Sequence, residues 1–140
     1  MTTPREVFER QIRLILADER EAQLELYADD CHWAFPFASG DRPRRLVGRA
    51  EIRQAMMPLW EKARAAGLHA SFCSIIAIHE TLDPEVIVAE FTLGVEAREI
   101  GRTDRLDFVQ VLRVRDGKIV ELREYFDSMA RARLSNLEPR

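Results

Sequence analysis

The sequence predicts an α+β fold, in which N-terminal helices pack on a curved antiparallel sheet. Three observations predict this class. Helical spacing of apolar residues is concentrated in the first half of the chain, strand-like alternation dominates from about residue 68 onward, and Asp116-Gly117 separates the last two strand-like runs. Asp-Gly is the strongest short-range hairpin signal because both residues tolerate a positive φ. Helices followed by a strand meander are typical of α+β proteins, and 140 residues form one domain, residues 1–140.

Three helices are expected in the N-terminal part. The first begins at a capping box that pairs Thr3 with Glu6 and ends near Asp18. A short second helix is expected over about residues 21–27, and a third over about residues 48–67, ending at a glycine. Each has an apolar stripe that can pack on the sheet.

The strand-like segments are expected at about residues 31–37, 68–79, 86–98, 105–115 and 118–127. In the first of them the aromatic residues share one face. The fourth is apolar on both faces, so both faces should be covered. Because the helices cover only the concave face, we expect the outer face of the sheet to meet a second copy of the chain in a homodimer.

The composition argues against several classes of function. The net charge of −3 lacks the basic footprint that nucleic-acid binding requires. No apolar run reaches the roughly 18 residues of a membrane span, and the N-terminal residues do not resemble an export signal, so we expect a cytoplasmic protein. The cysteines and histidines show no metal-ligand spacing, which predicts no metal site and no cofactor.

A carboxylate on the last strand is the main candidate for chemistry. Alternation places Glu124 on the same face as Leu122 and Phe126. A carboxylate between apolar neighbours on a concave sheet is a candidate acid or base, with a pKa raised by burial. The alternative is a solvated charge on an edge strand.

Four segments resemble, in the same order, the SnoaL-like and ketosteroid-isomerase-like families of the nuclear-transport-factor-2-like superfamily. They are YADDC at 27–31, GRAEI at 48–52, ETLDP at 80–84 and the closing hairpin at 111–127. The resemblance covers residues 5–130 and implies a cone-shaped barrel of a curved antiparallel sheet packed on three N-terminal helices. It leaves the chemistry open, because the superfamily contains isomerases, cyclases, hydrolases, dehydratases and non-enzymes.

The segment at 80–84 and the Arg123-Glu124 pair look most like the phenazine-biosynthesis A/B branch of these families. In that branch a glutamate on the last strand acts in acid/base chemistry, and it matches Glu124. A histidine on the middle helix also works there, but Met56 or Met57 occupies that region here. The resemblance therefore retains one of two main functional positions.

Two related activities are not supported by their own residues. The base, oxyanion tyrosine and oxyanion aspartic acid of ketosteroid isomerases correspond to Phe35, about Gln11 and about Gln110. The arginine and second aspartate of limonene epoxide hydrolases fall near Phe91 and Leu93. Neither steroid isomerisation nor epoxide hydrolysis by those constellations is expected.

Gln110 is the second candidate catalytic residue, because it is a lone polar side chain within an apolar run. On the register of the family it points into the cavity, where it would bond a ligand carbonyl or Glu124. A structural hydrogen bond to the backbone is the alternative.

Aromatic and apolar side chains are expected to line a closed-ended pocket for a small hydrophobic or aromatic ligand. A barrel of this family keeps its open end unfilled, although each side chain taken singly is compatible with ordinary core packing. The candidate substrate-binding residues are Trp33, Phe35, Phe37, Met56, Trp60, Phe91, Leu93, Phe108, Leu112 and Phe126.

Two functions are consistent with these features. The first is a cofactor-free enzyme of the isomerase, cyclase or dehydratase type that uses Glu124, with Gln110 as its polar partner, on a hydrophobic or aromatic metabolite. The second is a non-catalytic ligand-binding or assembly module with the same pocket. The environment of Glu124 discriminates between them, because a catalytic carboxylate should be buried.

Overall fold

The computed structural model describes residues 2–135. The helices are α1 (Pro4–Leu16), α2 (Arg20–Leu24), α3 (Arg49–Ala65) and α4 (Ser128–Ser135). The strands are β1 (Tyr27–Ala34), β2 (Arg45–Val47), β3 (Leu68–Glu80), β4 (Val86–Ala97), β5 (Arg102–Arg115) and β6 (Lys118–Phe126). The predicted α+β class is confirmed. No helix within the described residues is long and apolar enough to cross a membrane.

All of these strands form one curved sheet in the order β2-β1-β6-β5-β4-β3. Neighbouring strands run antiparallel except β1 and β6, which are parallel. The expected purely antiparallel sheet is corrected here. Because β1 and β6 are far apart in the chain, no tight turn forces them to run in opposite directions. The outermost strands, β2 and β3, do not pair with each other, so the sheet is not closed.

The predicted helix and turn signals are found in the structure. The side chain of Thr3 accepts a hydrogen bond from the backbone N–H of Glu6 at 3.2 Å, which caps α1. After α3, Gly67 adopts a positive φ of 76°, as a helix-ending glycine does. Asp116 and Gly117 have positive φ values of 51° and 75° in the turn between β5 and β6.

The β5–β6 hairpin contains a one-residue bulge. Beside the turn, Val114 pairs with Ile119, but the next recorded pair joins Arg113 to Glu121. Val120 is therefore the extra residue on β6. Beyond the bulge the register continues regularly to the end of the strand.

The concave face of the sheet and the helices that pack on it enclose one apolar core. The ring of Phe8 on α1 lies 5.3 Å from that of Phe91 on β4, between centroids. Phe91 in turn stacks on Phe108 of β5 at 5.2 Å. Ile52 of α3 and Leu122 of β6 are almost completely buried in the same core.

β1 ends earlier than the sequence predicts, and this moves one candidate residue. The strand covers Tyr27–Ala34 instead of 31–37, and a turn containing Pro36 follows it. Phe37 therefore leaves the aromatic face. Its side chain is 61% exposed, and its ring packs edge-on against Tyr125, which alternates with Glu124 on β6. The expected place of Phe37 inside the barrel is wrong.

Two elements were not predicted from the sequence. β2 is a three-residue strand at the edge of the sheet, in a region where no strand was expected. α4 follows β6 directly, and the carboxylate of Asp127 accepts hydrogen bonds from the backbone N–H groups of Met129 and Ala130 at 3.0 and 3.1 Å. Ala130 is buried, so α4 packs on the end of the sheet.

The outer face of the sheet carries apolar side chains. Val88, Val109 and Val111 are half-buried there. The ring of Phe72 covers Gly94 so closely that a Cβ at that glycine would lie 2.0 Å from a ring carbon. Dimerisation through this face stays a prediction.

Candidate active site

Glu124 lies on the concave face of β6, opposite Gln110 of β5 in the sheet register. Both side chains are buried, with exposed fractions of 7% for Glu124 and 3% for Gln110. The Nε2 group of Gln110 donates a hydrogen bond to Oε1 of Glu124 at 2.7 Å. Gln110 thus contacts the candidate acid/base itself, one of the two partners expected for it.

Burial raises the pKa of Glu124 above its ordinary value of 4.5. The hydrogen bond from Gln110 and the positive charge of Arg131 lower the pKa, but burial is the largest effect. A carboxyl group with a raised pKa can hold and release a proton closer to neutral pH than an exposed glutamate can. Arg131 comes from α4, a helix that the sequence did not predict.

A row of buried polar side chains extends from Gln110 to the opposite side of the core. Gln11 donates to Oε1 of Gln110 at 3.0 Å, and the hydroxyl of Tyr27 donates to Oε1 of Gln11 at 3.2 Å. Gln23 donates to that hydroxyl at 3.1 Å, and Arg20 donates to Oε1 of Gln23 at 2.8 Å. We call this row the polar chain: Arg20, Gln23, Tyr27, Gln11 and Gln110.

α4 covers the end of the sheet at which Glu124 lies. The guanidinium group of Arg131 sits 4.4 Å above the ring of Phe126, the residue two positions after Glu124. A cavity of about 100 Å³ lies beside this contact. Its lining residues are Ser39, Arg42, Phe126, Ser128, Arg131 and Ala132.

Most of the candidate substrate-binding residues contribute to the apolar core. The buried or nearly buried ones are Trp33, Phe35, Phe91, Leu93, Phe108 and Leu112. Met56, Trp60 and Phe126 are partly buried against them. Several of these side chains pack on one another, and the apolar pocket expected among them stays a prediction. Within the described residues, the buried indole N–H of Trp33 has no hydrogen-bond partner.

A larger cavity, of about 410 Å³, lies on another part of the surface and has a charged lining. It is bounded by Asp30, His32, Arg113, Arg115, Val120 and Glu121. Arg113 also donates to Asp83 and Glu85 at 2.8 and 3.0 Å. This cavity is not the predicted apolar pocket. Among residues 2–135, no group of three or more His, Cys, Asp or Glu side chains could hold a metal ion.

The sequence reasoning missed most of the polar chain and the arginine of α4. Gln11 had a signal in the sequence, because it lies at helical spacing among the apolar residues of α1. In the structure its side chain is 1% exposed. Tyr27 was assigned to a helix, whereas it begins β1 and is fully buried. Arg131 had no signal, because nothing in the sequence showed that α4 returns over the sheet.

The described structure is a curved, unclosed sheet with helices on its concave face, and Glu124 is buried on the last strand. The SnoaL-like domain family matches residues 8–122. This chain belongs to that family.

Two relatives show the same similarity along most of the chain. The uncharacterised protein YesE of Bacillus subtilis (strain 168) is 24% identical over 124 residues, which cover 89% of this chain and 81% of YesE. The uncharacterised PhzA/B-like protein PA3332 of Pseudomonas aeruginosa is 25% identical over 126 residues, covering 89% of this chain and 84% of that protein.

Solved structures confirm the nuclear-transport-factor-2-like fold. A proposed isomerase from Bacillus subtilis superposes with a TM-score of 0.80 at 22% identity, covering 95% of this chain and 92% of that one. A proposed polyketide cyclase (PP0894) from Pseudomonas putida KT2440 gives 0.70 at 20% identity, covering 95% and 98%. RV0760c of Mycobacterium tuberculosis, in complex with estradiol-17β-hemisuccinate, gives 0.68 at 23% identity, covering 90% and 95%.

Proposed function

We propose that this protein is an enzyme that uses Glu124 as an acid/base in the isomerisation, cyclisation or dehydration of a small hydrophobic or aromatic metabolite. The observation that carries the proposal is the burial of Glu124 with its pKa raised, held by a hydrogen bond from Gln110 at 2.7 Å. A buried carboxylate is costly to keep for stability alone, and perturbed acids of this kind cluster at functional sites.

The chemistry needs one positioned acid/base and the exclusion of water. In the ionised form, Glu124 removes a proton from a carbon next to a carbonyl group of the substrate and then returns it to another atom. Gln110 holds the carboxylate in place. The packed core around the site keeps water away from the charged intermediate. This route requires no metal and no organic cofactor, and we propose a cytoplasmic location for the protein.

The proposed ligand lies among the aromatic side chains, next to Glu124, once these residues or α4 have moved. The indole N–H of Trp33, which has no partner in the described part of the chain, offers a hydrogen bond to a ligand oxygen. The names of two structural neighbours support this class of ligand, since one is called a polyketide cyclase and the other binds an estradiol derivative.

The second candidate function is a non-catalytic ligand-binding or assembly module. The packing of the interior favours it, because the cavity beside Phe126 and Arg131 measures only about 100 Å³. Typical small-molecule pockets are about 300 Å³ or larger. A module that binds a partner through its surface would need no open pocket.

Deuterium exchange into a ligand distinguishes the two functions without knowledge of the full reaction. Aromatic and polyketide-like ketones are first tested for binding by thermal shift. Ligands that bind are then incubated with the protein in D2O, and loss of the proton next to the carbonyl is followed by NMR.

The variant for this test is Glu124→Gln, which keeps the size of the side chain but removes its capacity to take a proton. We expect it to bind the ligand and to exchange about a hundredfold or more slowly than the wild type. Glu121→Gln is the matched control, since Glu121 lies on the same strand but is exposed. Ligands that bind without exchange, or equal exchange in both variants, would favour the binding module.

A further inference from the structure

The polar chain has one direction along its whole length, from a cation at one end to the carboxyl group at the other. Arg20 only donates, and each of the other four side chains accepts a hydrogen bond from the member before it and donates one onward, Gln110 to Glu124. Gln23, Tyr27, Gln11 and Gln110 are each at most 3% exposed, so water does not substitute for these bonds. Such a row of buried polar groups needs an explanation beyond packing.

Arg20 fixes this direction. A guanidinium group has donors and no acceptor, so Gln23 must turn its carbonyl oxygen towards Arg20 and its amide N–H towards Tyr27. The hydroxyl of Tyr27 then has its acceptor side occupied and donates onward to Gln11. Reversing Gln23 would place its amide N–H groups against the N–H donors of Arg20.

The same constraint reaches Glu124. Gln11 occupies the carbonyl oxygen of Gln110, so Gln110 can present only its N–H to the carboxyl group. Oε1 of Glu124 therefore accepts a hydrogen bond whether the carboxyl group is ionised or protonated. A proton on Oε1 would face the N–H of Gln110.

We propose that the polar chain positions Glu124 for proton transfer by keeping Oε1 as a permanent acceptor and leaving Oε2 as the oxygen that takes and returns the proton. The inference rests on the proposed function in taking Glu124 as the acid/base. In the transfer, the substrate C–H bond breaks, its electron pair stays on the substrate and the proton goes to Oε2. The reverse step returns the proton to the substrate, so atoms and charge balance. Gln11, Tyr27, Gln23 and Arg20 are positioning residues that act through Gln110.

The polar chain also polarises the hydrogen bond from Gln110 to Glu124. Its bonds point from the positive Arg20 towards the carboxylate, so each one strengthens the next and stabilises the ionised form of Glu124. Other groups act on Glu124 independently of the chain. The charged or titratable groups that bear on it are Arg131 of α4, with Arg42 beyond it, and Tyr27 of β1.

Arg20→Met tests the coupling at the far end of the chain. Methionine keeps a long apolar stem against Trp60, whose ring lies 4.7 Å from the guanidinium carbon, but it donates no hydrogen bond. Losing a 10–30% cooperative gain on a charge-assisted bond corresponds to a rise of about 0.1–0.7 in the pKa of Glu124. The pKa of Glu124 is measured by NMR titration of the whole protein with 13C-labelled glutamate carboxyl groups. The signal of Glu124 is assigned as the one that is absent from Glu124→Gln.

Arg64→Met is the matched control. Arg64 and Arg20 both bind the carboxylate of Asp18, but Arg64 makes no contact with the chain in the described structure. We expect Arg64→Met to leave the pKa of Glu124 unchanged. An equal shift in both variants would mean simple loss of charge and would overturn the proposal, as would an unchanged pKa in Arg20→Met.

Tyr27→Phe interrupts the polar chain, because it removes the hydroxyl group that joins Gln23 to Gln11. It should raise the pKa of Glu124 as well, and adding Arg20→Met to it should produce no further rise, because Arg20 then has no connection to Gln110. Full additivity of the two shifts would contradict a connected chain. If Tyr27→Phe does not fold, the Arg20 and Arg64 variants decide the question.

The titration does not depend on turnover. If Glu124→Gln leaves ligand exchange unchanged, the proposed function fails, and the pKa shifts still show whether the chain is coupled to Glu124.

Discussion

Replacing Glu124 by glutamine should change how the stability of the protein depends on pH. Burial raises the pKa of Glu124 in the folded protein, so the folded state binds this proton more tightly than the unfolded state does. The stabilising effect of the proton is fully present below the unfolded pKa of about 4.3. It is lost as the pH rises through the folded pKa, because the unfolded chain ionises freely while the buried carboxyl group of Glu124 resists ionisation. The glutamine variant has no such loss.

Three effects set the size of the change: burial opposes ionisation of Glu124, while the hydrogen bond from Gln110 and the positive charge of Arg131 favour it. Ionising a buried carboxyl group costs several kcal/mol, and the one hydrogen bond from Gln110 returns about 1.5–3 kcal/mol. We therefore compare the free energy of unfolding of Glu124→Gln with that of the wild type at each pH. We expect this difference, variant minus wild type, to be about 1–3 kcal/mol larger at pH 8 than at pH 4. The amide group of the introduced glutamine also changes the stability, but this change does not depend on pH. It therefore cancels when the values at pH 4 and pH 8 are subtracted.

Urea denaturation of both proteins at fixed protein concentration, in steps from pH 4 to pH 8, measures the difference. Glu121→Gln is the control, because Glu121 is exposed and its loss should produce no rise of this kind relative to the wild type. A difference in the free energy of unfolding between wild type and Glu124→Gln that stays constant from pH 4 to pH 8 would contradict this prediction. So would one of the opposite sign, since either result means that folding does not raise the pKa of Glu124.

Two further predictions concern the outer face of the sheet and α4. Val109→Asp places a charge in the proposed dimer face, where about 800 Å² per subunit would be buried, and light scattering should show monomers. Gln54→Asp, at an exposed position of α3 away from this face, should stay dimeric, and a wild-type monomer at micromolar concentration would contradict the dimer. Asp127→Ala removes the cap that accepts two N–H bonds at the start of α4, and should cost about 1 kcal/mol and speed amide hydrogen exchange in α4. Asp127→Asn should retain protection, and unchanged exchange in Asp127→Ala would show that packing alone holds the helix.

Features encoded by neighbouring residues were predictable from the sequence. The Asp116-Gly117 turn and the Thr3 cap depend on backbone preferences that a few residues specify, and both are found. The burial of Glu124 followed from its alternation with Leu122 and Phe126. These features depend only on neighbouring residues, so they can be predicted without knowledge of the rest of the fold.

Features that depend on distant segments were not predictable in the same way. Gln11 and Gln110 meet across 99 positions of sequence, and their contact depends on how α1 crosses the sheet. Arg131 reaches the site only because α4 turns back after Asp127. The misplacement of Phe37 has a more local origin, since alternation was extended through Pro36, at which the strand had already ended.

The extra residue at Val120 has a consequence for how relatives of this protein are compared. Without the bulge, the register set at the turn by the pairs Arg115–Lys118 and Val114–Ile119 would continue along the whole hairpin. Gln110 would then face Arg123, and Glu124 would point to the outer surface of the sheet. The bulge moves the register by one, so that the carboxyl group meets Gln110 while the turn keeps its preferred geometry. For the proposed acid/base role of Glu124, the number of residues between Gly117 and Glu124 therefore matters as much as the glutamate itself. A homologue that retains the glutamate but lacks one residue in this segment should not place its carboxyl group opposite the counterpart of Gln110.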